Sequence, residues 1–85
     1  MEELYQLIEE KIKVTGCPCN ISGRDFYRDI STEVEDKENG TYVFIVQKSD
    51  TLSYHGCMTV MEDEFDLHYV DIHVEEQAYH VDFDA

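Results

Sequence analysis

Four strand-like segments fill the second half of the sequence and constrain the fold more than any other feature. They are TYVFIVQ (41–47), SYHGCMTVM (53–61), FDLHYVDIHV (65–74) and AYHVDFD (78–84). Each is rich in β-branched and aromatic residues, and apolar and polar residues alternate along much of each. The gaps KSDTL, EDE and EEQ are polar and short enough for hairpins. The pattern predicts a four-stranded antiparallel β-meander.

A first helix is predicted for residues 2–14, ahead of the strands. Its apolar residues recur at helical spacing and form one stripe, made of Leu4, Leu7, Ile8 and Ile12. Glutamates open the segment and lysines close it, which suits the helix dipole. A glycine at position 16 and a proline at position 18 then stop the helix.

A second helix is predicted for residues 23–38, where helical and strand spacing both fit the apolar residues. Ser22 can cap its N-terminus, with Asp25 three residues later as in a capping box. Asn39-Gly40 can close the other end in the left-handed conformation. The rival interpretation is a strand that pairs with the next one through Asn39-Gly40. We favour the helix, which gives an α+β fold with two N-terminal helices packed on one face of the meander.

Alternation divides the strand residues between two faces if the strands pair in simple hairpins. The face beneath the helices is predicted to hold Tyr42, Phe44, Val46, Cys57, Phe65, Leu67, Tyr69, Tyr79, Val81 and Phe83. The other face is predicted to hold Val43, Ile45, Met58, Val60, Asp66, His68, Val70, Ile72, His80, Asp82 and Asp84. One register slip or bulge would move these residues to the opposite face.

Negative charge is unevenly distributed along the chain, whose net charge is −14. Residues 1–48 contain ten acids and all six bases, whereas residues 49–85 contain ten acids and no Lys or Arg. Such a field repels nucleic-acid phosphates and anionic lipids and attracts basic surfaces. The sequence therefore argues against direct binding to nucleic acid or to a membrane.

The length of 85 residues predicts a single domain, residues 1–85. No basic segment followed by an apolar run opens the chain, and no apolar stretch approaches the roughly 20 residues that span a bilayer. The three cysteines are an odd number, which fits a reducing compartment better than a disulfide framework. We expect a cytoplasmic protein.

Cysteine and histidine residues suggest one metal site of the zinc type. Cys17, Cys19, His55 and Cys57 could together supply a tetrahedral ligand set. Only one residue separates the ligands within each pair, whereas structural zinc pairs usually hold two to four. The alternative is a buried Cys57 with two free thiols in the loop, and we expect no bound metal and no cofactor.

The sequence contains little that would support an enzyme. Asp71 with His73, and His80 with Asp82, could form acid–base pairs, but the simple register places the two pairs on opposite faces. No glycine-rich phosphate loop, nucleophile elbow or HExxH helix is present. The acids near residue 62 lack the spacing of a calcium loop. We expect no catalytic activity.

The acidic strands instead suggest a binding module that imitates nucleic acid. Carboxylates at alternate strand positions lie about 6.6 Å apart, which is close to the phosphate spacing along one DNA strand. In size, acidity and α+β build the chain resembles phage and mobile-element inhibitors such as anti-CRISPR, antirestriction and uracil-glycosylase inhibitor proteins. The resemblance carries no motif, so it assigns no residue. The residues predicted to contact a basic nucleic-acid enzyme are Glu62, Asp63, Glu64, Asp66, Glu75, Glu76, Asp82 and Asp84.

The other interpretation is a protein–protein adaptor or homo-oligomer. An apolar patch on the second face would meet another chain, and the acids would serve solubility. A bare apolar patch ringed by charge usually marks an interaction site. The residues predicted for it are Val43, Ile45, Val60, Val70 and Ile72.

Overall fold

Two helices precede a four-stranded antiparallel sheet in the computed structural model, which describes residues 2–62 and 64–83. The helices are α1 (Glu2–Lys13) and α2 (Gly23–Val34). The strands are β1 (Gly40–Gln47), β2 (Leu52–Met61), β3 (Glu64–Val74) and β4 (Gln77–Asp82), in the order β1-β2-β3-β4 across the sheet. The predicted α+β class and the predicted meander are confirmed.

Capping explains why the second segment is a helix and not the rival strand. The Ser22 side-chain oxygen accepts a hydrogen bond from the Asp25 backbone N–H over 3.4 Å. Phe26 and Ile30, one helical turn apart, are both buried. The predicted C-cap at Asn39-Gly40 is wrong, since α2 ends at Val34 and Gly40 begins β1.

Asn39 holds two connections together and does not cap α2. The Asn39 side chain accepts a hydrogen bond from the Glu62 backbone N–H over 2.9 Å, so it ties the chain before β1 to the β2–β3 turn. Gly40 has φ +152°, a backbone conformation that other residues rarely adopt. The segment 35–39 therefore serves as a connection that positions β1 at the edge of the sheet.

The core lies between the helices and one face of the sheet. The Phe26 ring centroid lies 5.1 Å from that of Tyr54 and 6.1 Å from that of Phe83. Asp29 of α2 forms an ion pair with Lys48, which follows β1, over 2.7 Å. The buried apolar cluster combines both layers: Ile8, Ile12, Ile21, Phe26, Ile30, Phe44, Tyr54, Met58, Val60, Val70, Ile72 and Val81.

The predicted assignment of side chains to the two faces is wrong for β2 and for half of β3. Phe44 lies opposite Gly56, so the even-numbered residues of β2, Met58 and Val60 included, face the core and Cys57 faces away. In β3 a bulge interrupts the alternation, because Cys57 pairs with Tyr69 while Met58 pairs with Leu67. The extra residue shifts the alternation by one position. It turns Val70 and Ile72 into the core and Tyr69 outward.

We name the uncovered side of the sheet the open face. Cross-strand pairing and alternation assign it Thr41, Val43, Ile45 and Gln47 from β1, and Ser53, His55, Cys57, Thr59 and Met61 from β2. They add Glu64, Asp66, His68, Tyr69, Asp71 and His73 from β3, and Ala78, His80 and Asp82 from β4.

The two helices approach each other closely at Gly23. A Cβ at this position would overlap the Tyr5 carbonyl oxygen, a backbone atom that cannot shift at little cost. We expect Gly23→Ala to lower the free energy of unfolding by about 2 kcal/mol or more. Urea unfolding measures this cost, with Glu10→Ala on the exposed side of α1 as the control. Equal stability of the two variants would contradict the close approach.

Candidate functional site: the open face of the sheet

The open face is acidic, and the residues assigned to it include no Lys or Arg. Glu64, Asp66, Asp71 and Asp82 supply its carboxylates. The six bases lie elsewhere: Lys11 and Lys13 in α1, Arg24 and Arg28 in α2, Lys37 before β1 and Lys48 after it. The fold thus separates an acidic sheet surface from a helical layer of mixed charge.

The acids predicted to bind a partner form a row along β3 instead of one compact cluster. Glu62 and Glu64 lie at the β2–β3 turn, whereas Glu75 and Glu76 lie at the β3–β4 turn. The 11 residues of β3 separate these two groups by about 33 Å. Asp66 and Asp82 lie on the open face between them. Asp63 and Asp84 fall outside the described residues.

Two of these glutamates have backbone conformations that favour glycine. The φ angle is +46° at Glu62 and +55° at Glu75. A residue with a Cβ pays roughly 1–2 kcal/mol in the left-handed region, so glycine is the usual choice there. The Glu62 N–H donates to Asn39 Oδ1, and the Glu75 N–H donates to the Thr51 carbonyl over 2.8 Å. The two ends of the acidic row therefore lie in turns whose backbones are held by hydrogen bonds.

All four histidines lie on the open face, a grouping that the sequence did not predict. His80 Nδ1 lies 2.6 Å from Asp71 Oδ1 across the β3–β4 pair. The rings of His55 and His73 lie 4.1 Å apart between centroids. His68, in the bulge, shares a hydrogen bond of 2.7 Å with the Thr59 hydroxyl. The predicted separation of Asp71 and His73 from His80 and Asp82 is wrong, because the bulge brings both pairs to one face.

The four candidate zinc ligands are not brought together. Cys17 and Cys19 lie in the α1–α2 loop and pack against the core on the helical side. His55 and Cys57 face away from that core. Within residues 2–62 and 64–83, no group of three or more His, Cys, Asp or Glu side chains could hold a metal ion. All three cysteines are free thiols.

Burial, and secondarily the neighbouring Cys17, raises the pKa of the Cys19 thiol above its ordinary value. A raised pKa favours the protonated thiol at neutral pH, and the thiolate is the form that ligates metals or attacks substrates. The shift therefore moves the Cys19 thiol away from the reactive thiolate form.

Tyr54 offers a test of the core beneath the helices. Its side chain is 2 % exposed, and burial followed by the charge of Asp29 raises its pKa from 10.0 to about 12. The folded state therefore holds this proton more tightly, and the resulting stability is complete below pH 10 and is lost as pH rises toward 12. Over that range the loss amounts to roughly 3 kcal/mol.

We expect Tyr54→Phe to keep the ring packing and to lose less stability than wild type between pH 10 and 12. Urea unfolding across this range measures the difference. Tyr69→Phe, on the open face, is the matched control. A wild-type pH dependence that Tyr54→Phe leaves unchanged would contradict the burial of the hydroxyl.

The apolar patch predicted for an adaptor is mostly core. Val60, Val70 and Ile72 are buried beneath the helices. Only Val43 and Ile45 of the predicted set stay exposed, at 74 % and 59 %. Both belong to β1 at the edge of the sheet. The exposed part of the predicted patch is therefore a short strip on one edge strand.

The fold and the open face define a class: a two-helix, four-stranded α+β protein with one uncovered, acidic sheet surface. No protein-family model matches the chain, and no curated protein or solved structure is significantly similar to it. Within the described ranges, neither helix has the length and apolar character needed to cross a bilayer. The functional argument therefore depends on the surface itself.

Proposed function

We propose that this protein is a small acidic binding module that imitates nucleic acid and occupies the basic groove of a nucleic-acid enzyme. The observation that carries the proposal is the separation of charge. The open face presents carboxylates from β3 and β4, and no Lys or Arg is among the residues assigned to it. A basic groove would meet carboxylates there without competing Lys or Arg side chains.

The spacing of one pair of acids in β3 and the length of the row support the comparison with a phosphate backbone. Glu64 and Asp66 occupy alternate positions on the same face, so their Cα atoms are about 6.6 Å apart. The row from the β2–β3 turn to the β3–β4 turn is about 33 Å long. Duplex DNA rises 3.4 Å per base pair, so the row matches roughly ten base pairs.

Rigidity also supports the proposal. The carboxylates of β3 belong to an interior strand, which is hydrogen-bonded to a neighbouring strand on each side. Glu62 and Glu75 stand on tight turns in a conformation where glycine would be less strained. The presence of glutamate at both turns is explained if the charge is needed there. Preorganised charges bind with a smaller entropic cost than flexible ones.

The proposed activity is binding and inhibition, without catalysis and without a cofactor. An occupied groove cannot hold nucleic acid, because two polyanions cannot neutralise the same Arg and Lys side chains at once. The free thiols are consistent with a reducing, cytoplasmic location. Size and acidity align the chain with phage and mobile-element inhibitors, so we propose a host nuclease, glycosylase or polymerase as the partner class.

Capture of partners from host lysate tests this function. The immobilised protein is incubated with nuclease-treated lysate at about 50 mM and about 200 mM salt, and the bound proteins are identified. We expect nucleic-acid enzymes that are retained at low salt, lost at high salt and displaced by added duplex DNA. A bound set that is insensitive to salt and to DNA would contradict the proposal.

A further inference from the structure

The outer edge of β1 has the composition of a pairing surface. The strand is eight residues long, GTYVFIVQ, and contains no charged residue and no proline. Val43 and Ile45 on its open-face side are exposed. Natural sheets usually protect such an edge with charge, proline, bulges or a covering element, because an edge strand can pair with another strand.

The other edge of the sheet is protected. β4 has only six residues, and His80 and Asp82 on its open-face side are ionisable and exposed. Lys11 of α1 donates a hydrogen bond to the Asp82 carbonyl over 3.3 Å. The two edges therefore differ, and of these two described strands β1 is the one suited to adding a strand.

We propose that β1 pairs antiparallel with β1 of a second copy of this chain, which joins two sheets into one of eight strands with two-fold symmetry. The proposal goes beyond the binding of a basic partner and stands on a different strand. An isologous pair is the commonest arrangement in soluble oligomers, and an uncharged strand is complementary to itself.

The alternation of β1 limits the possible registers. The open faces of the two copies must coincide, so odd-numbered residues oppose odd-numbered residues. With the two-fold axis at Val43, Val43 faces its own counterpart and Ile45 faces Thr41 of the second copy. On the core side, Phe44 faces Tyr42 of the second copy. Apolar and aromatic cross-strand pairs of this kind each contribute about 0.2–1 kcal/mol.

Charges beyond the ends of β1 favour the same register. Lys48 follows the strand and Glu38 precedes it by two residues. With the axis at Val43, Lys48 of each copy comes beside Glu38 of the other, so that Glu38 adds a second carboxylate to the ion pair that Lys48 already forms with Asp29. The uncharged strand and the opposite charges beyond its two ends are complementary to a second copy, which is therefore the occupant that fits.

Mutual repulsion weakens the proposed dimer at low salt. Each chain carries a net charge of −14, and the acidic rows of the two copies would lie about five strand spacings apart, about 24 Å. Repulsion acts over that distance at about 0.01 M salt, where the Debye length is about 30 Å, and is largely screened at about 0.15 M salt. The dimer should therefore strengthen as salt increases, whereas binding of a basic partner should weaken, so the failure of one proposal is distinguishable from the failure of the other.

Sedimentation equilibrium over a dilution series at two salt concentrations tests the dimer. Wild type is expected to approach twice the 10.0 kDa mass of one chain at high protein concentration, more readily at high salt. Val43→Lys with Ile45→Lys should abolish association. Gln77→Lys with Ala78→Lys, at exposed positions of β4, is the matched control and should associate like wild type.

Both double variants lower the negative charge equally, so general repulsion cannot explain a difference between them. If the lysine variant fails to fold by circular dichroism, Val43→Thr with Ile45→Thr keeps β-branched side chains and should weaken association by about tenfold. The mass of one chain at every wild-type concentration would overturn the proposal. Unchanged association of a folded β1 variant would overturn it as well.

Discussion

The Ile72→Asp variant is expected to be unfolded at neutral pH, whereas Val43→Asp is expected to fold normally. Ile72 is completely buried beneath the helices, whereas Val43 is 74 % exposed on the open face. A carboxylate at position 72 would be buried in the apolar core. That cost, about 5 kcal/mol or more, is comparable with the whole stability of a small domain.

The two variants are matched, because each replaces a β-branched apolar residue by aspartate and adds one negative charge. Far-UV circular dichroism and urea unfolding measure the outcome. Milder versions give a graded result: Ile72→Ala should cost about 2–5 kcal/mol, and Val43→Ala should cost less than about 1 kcal/mol. A folded Ile72→Asp beside an unfolded Val43→Asp would show that the two faces are assigned in reverse.

The second large effect is expected in binding. Changing Glu62, Glu64 and Asp66 together to lysine should weaken binding to the basic partner at least about 100-fold, because three attractive pairs become repulsive. The three side chains are exposed at one end of β3, so the fold should survive. Titration of the partner with wild type and variant measures the loss.

The matched control reverses the same number of charges on the helices, at Glu3, Glu10 and Glu33. It changes the net charge equally but leaves the open face intact, so it should lose much less affinity. Equal losses for the two triple variants would mean that net charge, and not the acidic row, determines binding. Unchanged affinity of the β3 variant would show that the partner binds another surface.

The secondary structure could be predicted because its signals are local. The Ser22 cap, the buried spacing of Phe26 and Ile30 and the alternation within each strand all lie within a few residues of one another. The meander could be predicted from the short polar gaps between strands, because only antiparallel neighbours can be joined by so few residues. None of these features depends on knowing which residues meet across the sheet.

The faces of the sheet could not be predicted, because they depend on contacts between distant residues. The pairing of Phe44 with Gly56 determines which residues of β2 face the core. The bulge at His68 changes which residues of β3 face the core beyond it. Seen along the sequence, Val70 and Ile72 belong to the same alternation as His68. Only the cross-strand pairing shows that one extra residue turns them into the core.

The candidate site was partly visible in the sequence. The absence of Lys and Arg after residue 48 indicated an acidic surface, because composition does not depend on register. The grouping of the histidines did depend on it, since His55 and His73 lie close only because Ser53 pairs with His73. The charge composition therefore indicated an acidic surface but not the arrangement of its members.

Competition with nucleic acid tests the central claim most directly. A labelled duplex is bound to the purified partner, and this protein is added at about 50 mM and about 200 mM salt. The acidic-mimic account predicts that the protein displaces the duplex completely, that no ternary complex forms, and that displacement needs more protein at the higher salt concentration. A stable ternary complex with the duplex still in the groove, formed equally well at both salt concentrations, would contradict it.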